Sequence, residues 1–366
     1  MNKKELISVV PQYPLALTMQ DEEDYFTWPV LMMRNDGYST KILTLQKIGQ
    51  KRYEKFKDIK VIRFPNALKL LIYVWQHRDA IVHAQGKIFP LLVGLIHPRS
   101  VFTTHATLGV DDSRYFSNTI LRMLYKILLA RFKRVIAISP YEVKLLKKYA
   151  FTPNYQYIPT AINYSYFSKP FGGEEARTKY KISKNARIII FLGNKHAGDK
   201  TNIETLFKAY SNVCNRLTNT KLIIIGKFPP EVVSSEAFKS IQNSTILTGW
   251  LPHTEFIKIF DIAHVFVNTS TAEGNPLSVG EAAAAGIPLC LSKLPTLKSI
   301  YGNSALYHEP KDDITLADNV IAYFGNSQLR KHNIYDAQKV IKLRHNYGSV
   351  YKLTHELYTH AFKNKN

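Results

Sequence analysis

The stretch VFVNTSTAEGNPLSVGEAAAAGIPLCLS, Val265 to Ser292, constrains this chain more than any other part of it. It reads as strand, loop, helix and strand, in that order. Asn275 is a good helix N-cap, and Pro276 suits the first helical position, where its missing N–H costs nothing. The spacing predicts a helix from Leu277 to Ala285, stopped by Gly286, with Pro288 just beyond. The tip of such a helix offers unpaired N–H groups and a partial positive charge, which suit an anion such as a phosphate. Glu273 lies in the loop before the tip, and Glu281 lies inside the helix. That arrangement could hold a diphosphate between two hydroxyl-binding carboxylates, which is what a nucleotide-sugar needs.

The rest of the chain repeats the alternation. Short apolar runs predict strands at 6–10, 41–45, 60–63, 80–84, 101–104 and 135–138, with helices over 27–34, 66–76 and about 112–131. A second series has strands at 187–192, 221–225, 245–247, 264–268 and 288–291, and helices at 202–217 and 253–262. A chain of 366 residues suggests two domains. The loop-like region 159–177, with its Lys-Pro-Phe-Gly-Gly, is expected to link them. A last helical stretch is expected over 333–362.

Apolar residues make up 45% and charged residues 21%, so a packed globular protein is expected. No run reaches 18 uncharged apolar residues, and Glu5, Pro11 and Gln12 interrupt any signal-like segment after Lys3 and Lys4. Cys214 and Cys290 read as buried thiols of a reducing compartment. A cytoplasmic protein is therefore expected. The net charge of +21 (49 minus 28) implies an anionic partner: nucleic acid, acidic lipid or an anionic substrate. The cations are spread through both halves and no nucleic-acid motif interleaves them, so nucleic acid is not expected. The pairs Asp111-Asp112 and Asp312-Asp313 read as solvated turns or caps. No Asp-x-Asp donor-metal site, zinc spacing, Walker A loop or Gly-x-Ser-x-Gly elbow stands out, and no metal is expected.

The Val265–Ser292 stretch resembles the Glu-x7-Glu signature of retaining glycosyltransferases with the GT-B fold, of the large family 4-like group. The resemblance implies an α/β protein of two doubly wound Rossmann-like domains facing across a cleft. It divides the chain into an acceptor-binding domain (1–165), a nucleotide-sugar-binding domain (166–335) and a C-terminal helix (336–366) returning to the first domain. It gives Glu273 the hydroxyls of the transferred sugar and Glu281 the nucleotide ribose. Backbone groups of Asn275, Pro276, Leu277 and Ser278 would line the sugar and diphosphate, Pro276 offering only its carbonyl. The stretch FLGNKHAGDK resembles the family's Gly-Arg…Lys-Gly segment. Gly193 matches the Gly, Lys200 the Lys, and Lys195 stands nearest the Arg, with Asn194 where Arg usually follows Gly. Two such cations would compensate charge building on a leaving diphosphate. Gly226, in KLIIIGKF, and Gly249 with Trp250, in ILTGWLPH, match the loops that border the nucleotide. The donor would be a co-substrate, a UDP- or GDP-sugar, and no further cofactor is implied.

The first half resembles the family more weakly. His105, in VFTTHATLGVDD, matches a His near the transferred sugar, and His83, in AIVHAQG, matches a His that is more often structural. The glycine-rich loop after the first strand is missing, replaced by VVPQYPLALTMQDEED. The acceptor is expected to be a glycan or a lipid-linked glycan. The segment Ser113 to Arg134 reads as an ordinary helix with its apolar face to the core. Its cations, extended by Lys144, Lys147 and Lys148, would also suit an anionic membrane on the inner face. A catalytically silent binding or scaffolding subunit is the alternative, motivated by the altered Gly-Arg…Lys-Gly segment and the missing glycines.

Overall fold

The computed structural model describes residues 4–11, 13, 27–56, 59–86, 88–105, 119–149, 152–193 and 200–362. The chain forms two compact units, Met1–Ala161 with Gly348–Asn366, and Ile162–Tyr347.

The first unit contains β1 (Glu5–Val9), β2 (Ser39–Leu45), β3 (Tyr53–Phe56), β4 (Ile59–Phe64), β5 (Ile81–Gln85), β6 (Ser100–Thr103), β7 (Arg134–Ala137) and β8 (Tyr155–Tyr157). They form one sheet in the order β3-β4-β2-β1-β5-β6-β7-β8. Its neighbours are parallel except β3, which runs antiparallel along the β4 edge. The guanidinium of Arg63, only 2% exposed, secures that edge by donating to the Lys51 carbonyl and to Glu54. The strand order reverses at β1 and β5, which pair directly. All five residues of β5 are buried, as expected of a strand covered on both faces. Ile7, Val9, Val82 and Ala84 point into one apolar layer, and Leu6 and Ile81 into the other. Helix 67–76 begins where Asn66 accepts a hydrogen bond from the Lys69 N–H at 3.0 Å, closing one orphan donor.

The second unit contains β9 (Arg187–Leu192), β10 (Thr220–Ile225), β11 (Thr245–Gly249), β12 (Val265–Asn268), β13 (Leu289–Ser292) and β14 (Leu306–His308). The order is β11-β10-β9-β12-β13-β14, every pair parallel, with the reversal at β9 and β12. Along β9, Ile188 and Ile190 face one layer while Ile189 and Phe191 face the other. Each such side chain contributes roughly 1.5–3 kcal/mol by leaving water.

Three expectations need correction. The region 159–177 is not a bare linker: it carries helical segments Tyr164–Phe167 and Gly173–Lys179, and Phe167 and Ala176 enter the second unit's core. The last stretch is not one helix. Helix Ser327–Val340 runs into a π turn, Ile341–His345, and Asn346 takes an extended conformation before helix Tyr347–Phe362. The Asn346 amide donates to the Lys342 carbonyl, and the His345 carbonyl accepts from the Ile162 N–H at 2.7 Å, so both chain crossings are tied together. The divisions therefore fall at 161/162 and 347/348 rather than 165/166 and 335/336. Val350, Leu357 and Tyr358 of the final helix join the first unit's core.

Candidate functional site

In an open parallel sheet, ligands bind beyond the carboxyl ends of the strands where the order reverses. In the second unit that point lies between the loops after β9 and β12. These loops are joined: the Thr271 N–H donates to the Lys200 carbonyl at 2.7 Å, and the Thr269 hydroxyl to the Thr201 carbonyl at 2.6 Å. Lys200 is exposed beside this junction.

Three glycines line the same edge. Gly193 donates its N–H to the Ile225 carbonyl at 3.0 Å, and Gly226 donates to the Gly249 carbonyl at 2.8 Å. Gly226 has φ +137°, and a Cβ there would lie 1.7 Å from the Gly193 carbonyl oxygen. Gly249 has φ +70° with open space around it, so its backbone conformation alone calls for glycine. Gly193 and Gly226 therefore approach more closely than a side chain at Gly226 would permit. Trp250 follows, partly buried.

The signature helix spans Leu277–Ala284, starting where expected and ending one residue sooner. Pro276 is its N-cap, not its first helical residue, and Asn275 lies outside it. A proline cap has no side-chain acceptor, and the N–H groups of Leu277 and Ser278, in the first turn, have no intrahelical partners. At the far end Ala285 is the C-cap. Gly286 (φ +77°) donates to Ala283, and Ile287 to Ala282, which satisfies the last carbonyls. Gly280 lets the helix pack closely, since a Cβ there would lie 2.8 Å from Ile162. Glu281 is partly buried one turn in from the tip.

Glu273 is held from several sides. The Ser270 hydroxyl donates to its Oε1 at 2.7 Å, and the Thr296 hydroxyl donates to its main-chain carbonyl at 2.7 Å. Ser270 is in turn held by Asn268, whose amide donates to its hydroxyl at 3.2 Å. Burial raises the Glu273 pKa above the usual carboxylate value, although Ser270, Asn268 and the charge of Lys200 act against the shift. The carboxylate is thus oriented rather than free to swing, and poised to accept hydrogen bonds from hydroxyls. Among the described residues no three His, Cys, Asp or Glu side chains converge as metal ligands.

A cavity of about 700 Å³ borders the same loops, lined in part by Thr201, Asn202, Phe207 and Thr271. It also presents Glu204, Glu231 and Glu236 against Lys311, a balance unsuited to a diphosphate.

In the first unit, His105 follows β6 with φ +38°, a left-handed conformation uncommon outside glycine. Its Nε2 lies 2.8 Å from Gln85 Oε1, and the Gln85 amide donates to the Ser8 hydroxyl at 2.9 Å. That network fixes the Gln85 oxygen toward His105, so His105 carries its proton on Nε2. Burial, with help from nearby His83, pushes the His105 pKa down to about 3. His83 is fully enclosed between the Thr103 hydroxyl and the Tyr358 hydroxyl, each at 2.6 Å, and burial lowers its pKa to about 3 as well. His83 therefore ties the final helix to the sheet.

The chain matches the model of the glycosyl transferases group 1 over residues 173–340 and that of glycosyltransferase family 4 over residues 33–166. Solved structures of similar fold include sucrose-phosphate synthase from Thermosynechococcus elongatus, with TM-score 0.75 and 16% identity over 98% of this chain and 99% of that one. Anabaena Alr3699/HepE in complex with UDP-glucose has TM-score 0.76 and 14% identity over 97% and 99%. The chain belongs to the family 4-like GT-B glycosyltransferases. An alpha-monoglucosyldiacylglycerol synthase of Streptococcus pneumoniae is 24% identical to this glycosyltransferase over 91% of the present chain and 81% of its own.

Within the glycosyltransferase, Gly193, Lys200, Gly226, Gly249, Glu273 and the 275–281 segment gather at one sheet edge. Lys195 and Asn194 lie outside the described residues, as do Asp111, Asp112, the first part of segment 113–134 and most of the loop after β1. Sequence reasoning missed the groups that hold the candidate side chains. Ser270 and Asn268 sit in the quoted stretch but look like ordinary strand-end residues. Thr296 and Gln85 are distant in sequence from the groups they hold and carry no motif.

Proposed function

We propose that this glycosyltransferase moves a sugar from a UDP- or GDP-sugar to a hydroxyl of a lipid-linked or glycan acceptor, with retention of configuration and no required metal. The observation that carries the reading is the uncapped tip of helix Leu277–Ala284, beside the Ser270-held carboxylate of Glu273 and the exposed Lys200. The tip and Lys200 would receive the diphosphate, Glu273 the sugar hydroxyls and Glu281 the ribose. The glycine edge would admit the nucleotide against bare backbone. The acceptor oxygen would attack the anomeric carbon on the face from which the diphosphate leaves. The carbon–phosphate oxygen bond breaks, and the acceptor proton passes to the departing phosphate. His105, neutral on both sides of pH 7 and oriented by Gln85, would hydrogen-bond a sugar hydroxyl.

UDP-glucose is the first donor to test, because a structural neighbour was solved with it and the pneumococcal relative is named for a glucosylated diacylglycerol. That name also favours a lipid acceptor met at a membrane surface. Among the described residues no helix is long and apolar enough to cross a membrane, so such an enzyme would act peripherally. No feature of the site supports the silent alternative. A donor screen by thermal shift, followed by radiolabelled transfer and assignment of the product's anomeric configuration by NMR, tests the reading. An inverted product would remove retention, and no shift with any nucleotide-sugar would remove the donor site.

A further inference from the structure

Three neighbouring strands of the second sheet end in polar residues: β12 in Asn268, β13 in Ser292 and β14 in His308. All three are buried, at 5%, 0% and 1% exposure, and a polar group in such a place must find its hydrogen bonds inside the protein. They find them in one another. The Asn268 main-chain carbonyl is met by the Ser292 hydroxyl at 3.4 Å and by His308 Nε2 at 3.2 Å, the imidazole reaching across β13. His308 is itself fixed, since its carbonyl accepts the Lys293 N–H at 2.8 Å.

Both ring nitrogens of His308 face carbonyl oxygens, Nε2 that of Asn268 and Nδ1 that of Glu309 at 2.9 Å. Burial lowers its pKa below the ordinary histidine value, against the pull of those two bonds and of the Asp312 and Glu309 carboxylates. At pH 7 the ring therefore has one proton for two carbonyls. Glu309 adjoins His308 in the chain, so covalent geometry holds that pair close whichever nitrogen is protonated, and its carbonyl already accepts the Asp312 N–H at 3.0 Å. The Nε2 contact spans 40 positions, and no covalent tether would hold two bare acceptors together there. The proton is thus assigned to Nε2 and donated to Asn268.

From Asn268 the bonds run on toward the donor site. Its side-chain Oδ1 accepts the Ser270 N–H at 3.3 Å, and its Nδ2 donates to the Ser270 hydroxyl at 3.2 Å. That hydroxyl donates to Glu273 Oε1 at 2.7 Å. We propose that His308 is a positioning residue for Glu273: its Nε2–H fixes Asn268, and Asn268 with Ser270 aims the carboxylate at the sugar of the donor. The inference rests on the donor reading above. It predicts that loss of the imidazole is felt by the sugar and not by the nucleotide.

The test is isothermal titration of the full chain with UDP-glucose and, separately, with UDP. An asparagine amide at 308 stands near the place of Nδ1, and a glutamine amide near that of Nε2. His308→Asn should weaken UDP-glucose about tenfold while UDP stays within about twofold of wild type. His308→Gln should restore UDP-glucose to within about threefold. Because His308 acts through Ser270, Ser270→Ala/His308→Asn should bind UDP-glucose no more weakly than Ser270→Ala alone. Equal weakening of both ligands, wild-type binding by His308→Asn, no rescue by His308→Gln, or additive losses in the double variant would each overturn the proposal and leave the donor reading standing. Loss of cooperative urea unfolding in both amide variants would make His308 a residue of the core alone, and would overturn it as well. A wild type that binds neither UDP-glucose nor any other nucleotide-sugar would overturn the donor reading itself, and this inference with it.

Discussion

The carboxyl edges of the two sheets are built from different materials. The second is made of backbone: three glycines in contact, an uncapped helix tip and loop carbonyls bonded to loop amides. The first is made of side chains: His105 on Gln85, Gln85 on Ser8, and His83 between Thr103 and Tyr358. A backbone edge suits a ligand part that every relative must bind, a diphosphate. A side-chain edge can be rebuilt from one protein to the next, which suits a varied acceptor. On the function proposed above, close backbone in one unit would serve the donor and adaptable side chains in the other the acceptor.

The comparison breaks most visibly at Glu273. Glu273→Ala should lower sugar transfer about a hundredfold or more, measured with radiolabelled donor, while the circular dichroism spectrum stays that of wild type. A smaller loss would mean that the backbone edge alone carries the donor. Next comes Gly226→Ala, which sets a methyl against the Gly193 carbonyl. It should cost roughly 3–5 kcal/mol in chemical denaturation. Tolerance of alanine there would show that the edge is not limited by backbone contact.

On the side-chain edge, Gln85→Leu leaves Ser8 and His105 without their partner, at about 1–3 kcal/mol of stability. Transfer should drop about tenfold with donor binding unchanged; an equal loss of donor affinity would move His105's task toward the donor. The two histidines also give a pH signature. Their folded values of about 3 lie below the ordinary 6.5, so they do not distinguish folded from unfolded states above pH 6.5. As pH falls from 6.5 toward 3 the unfolded chain takes up the protons first, and stability declines by up to about 1.4 kcal/mol per pH unit for each histidine. His83→Gln should flatten that slope in urea titrations; an unchanged slope would say His83 is not held neutral. The smallest effect is expected at Gly37→Ala, where φ is +83° but nothing lies within 4 Å: about 1 kcal/mol, read as a small fall in Tm.

The backbone edge was legible because backbone contact demands particular residues. Glycine is favoured where φ is positive and required where a Cβ has no room, and Gly193, Gly226, Gly249 and Gly286 all announce themselves. The strand positions were legible for the same kind of reason, since strands covered on both faces become plain apolar runs such as RIIIFL. The exposed edge strand Tyr53–Phe56 and the short strands Tyr155–Tyr157 and Leu306–His308 lack such runs and were missed. The break at Ile341–His345 was hidden because Lys, Leu and Arg there all favour helix, and the interruption goes with a tertiary bond from Ile162 to His345 and a local one from Asn346 to Lys342. The cap falls on Pro276 rather than Asn275, a one-residue difference within the usual spread of helix ends. Tyr358 meets His83 across 275 positions, a pairing no local pattern encodes.

That pairing bears on how the molecule is made. The first unit's sheet leaves the ribosome before the second unit, but Val350, Leu357 and Tyr358, which join its core, are translated after it. The intervening unit holds all its strands before then and can close first. Nascent β5, with His83 still lacking its hydroxyl partner, must wait through that interval with unfilled apolar surface, a window in which chaperones have something to hold.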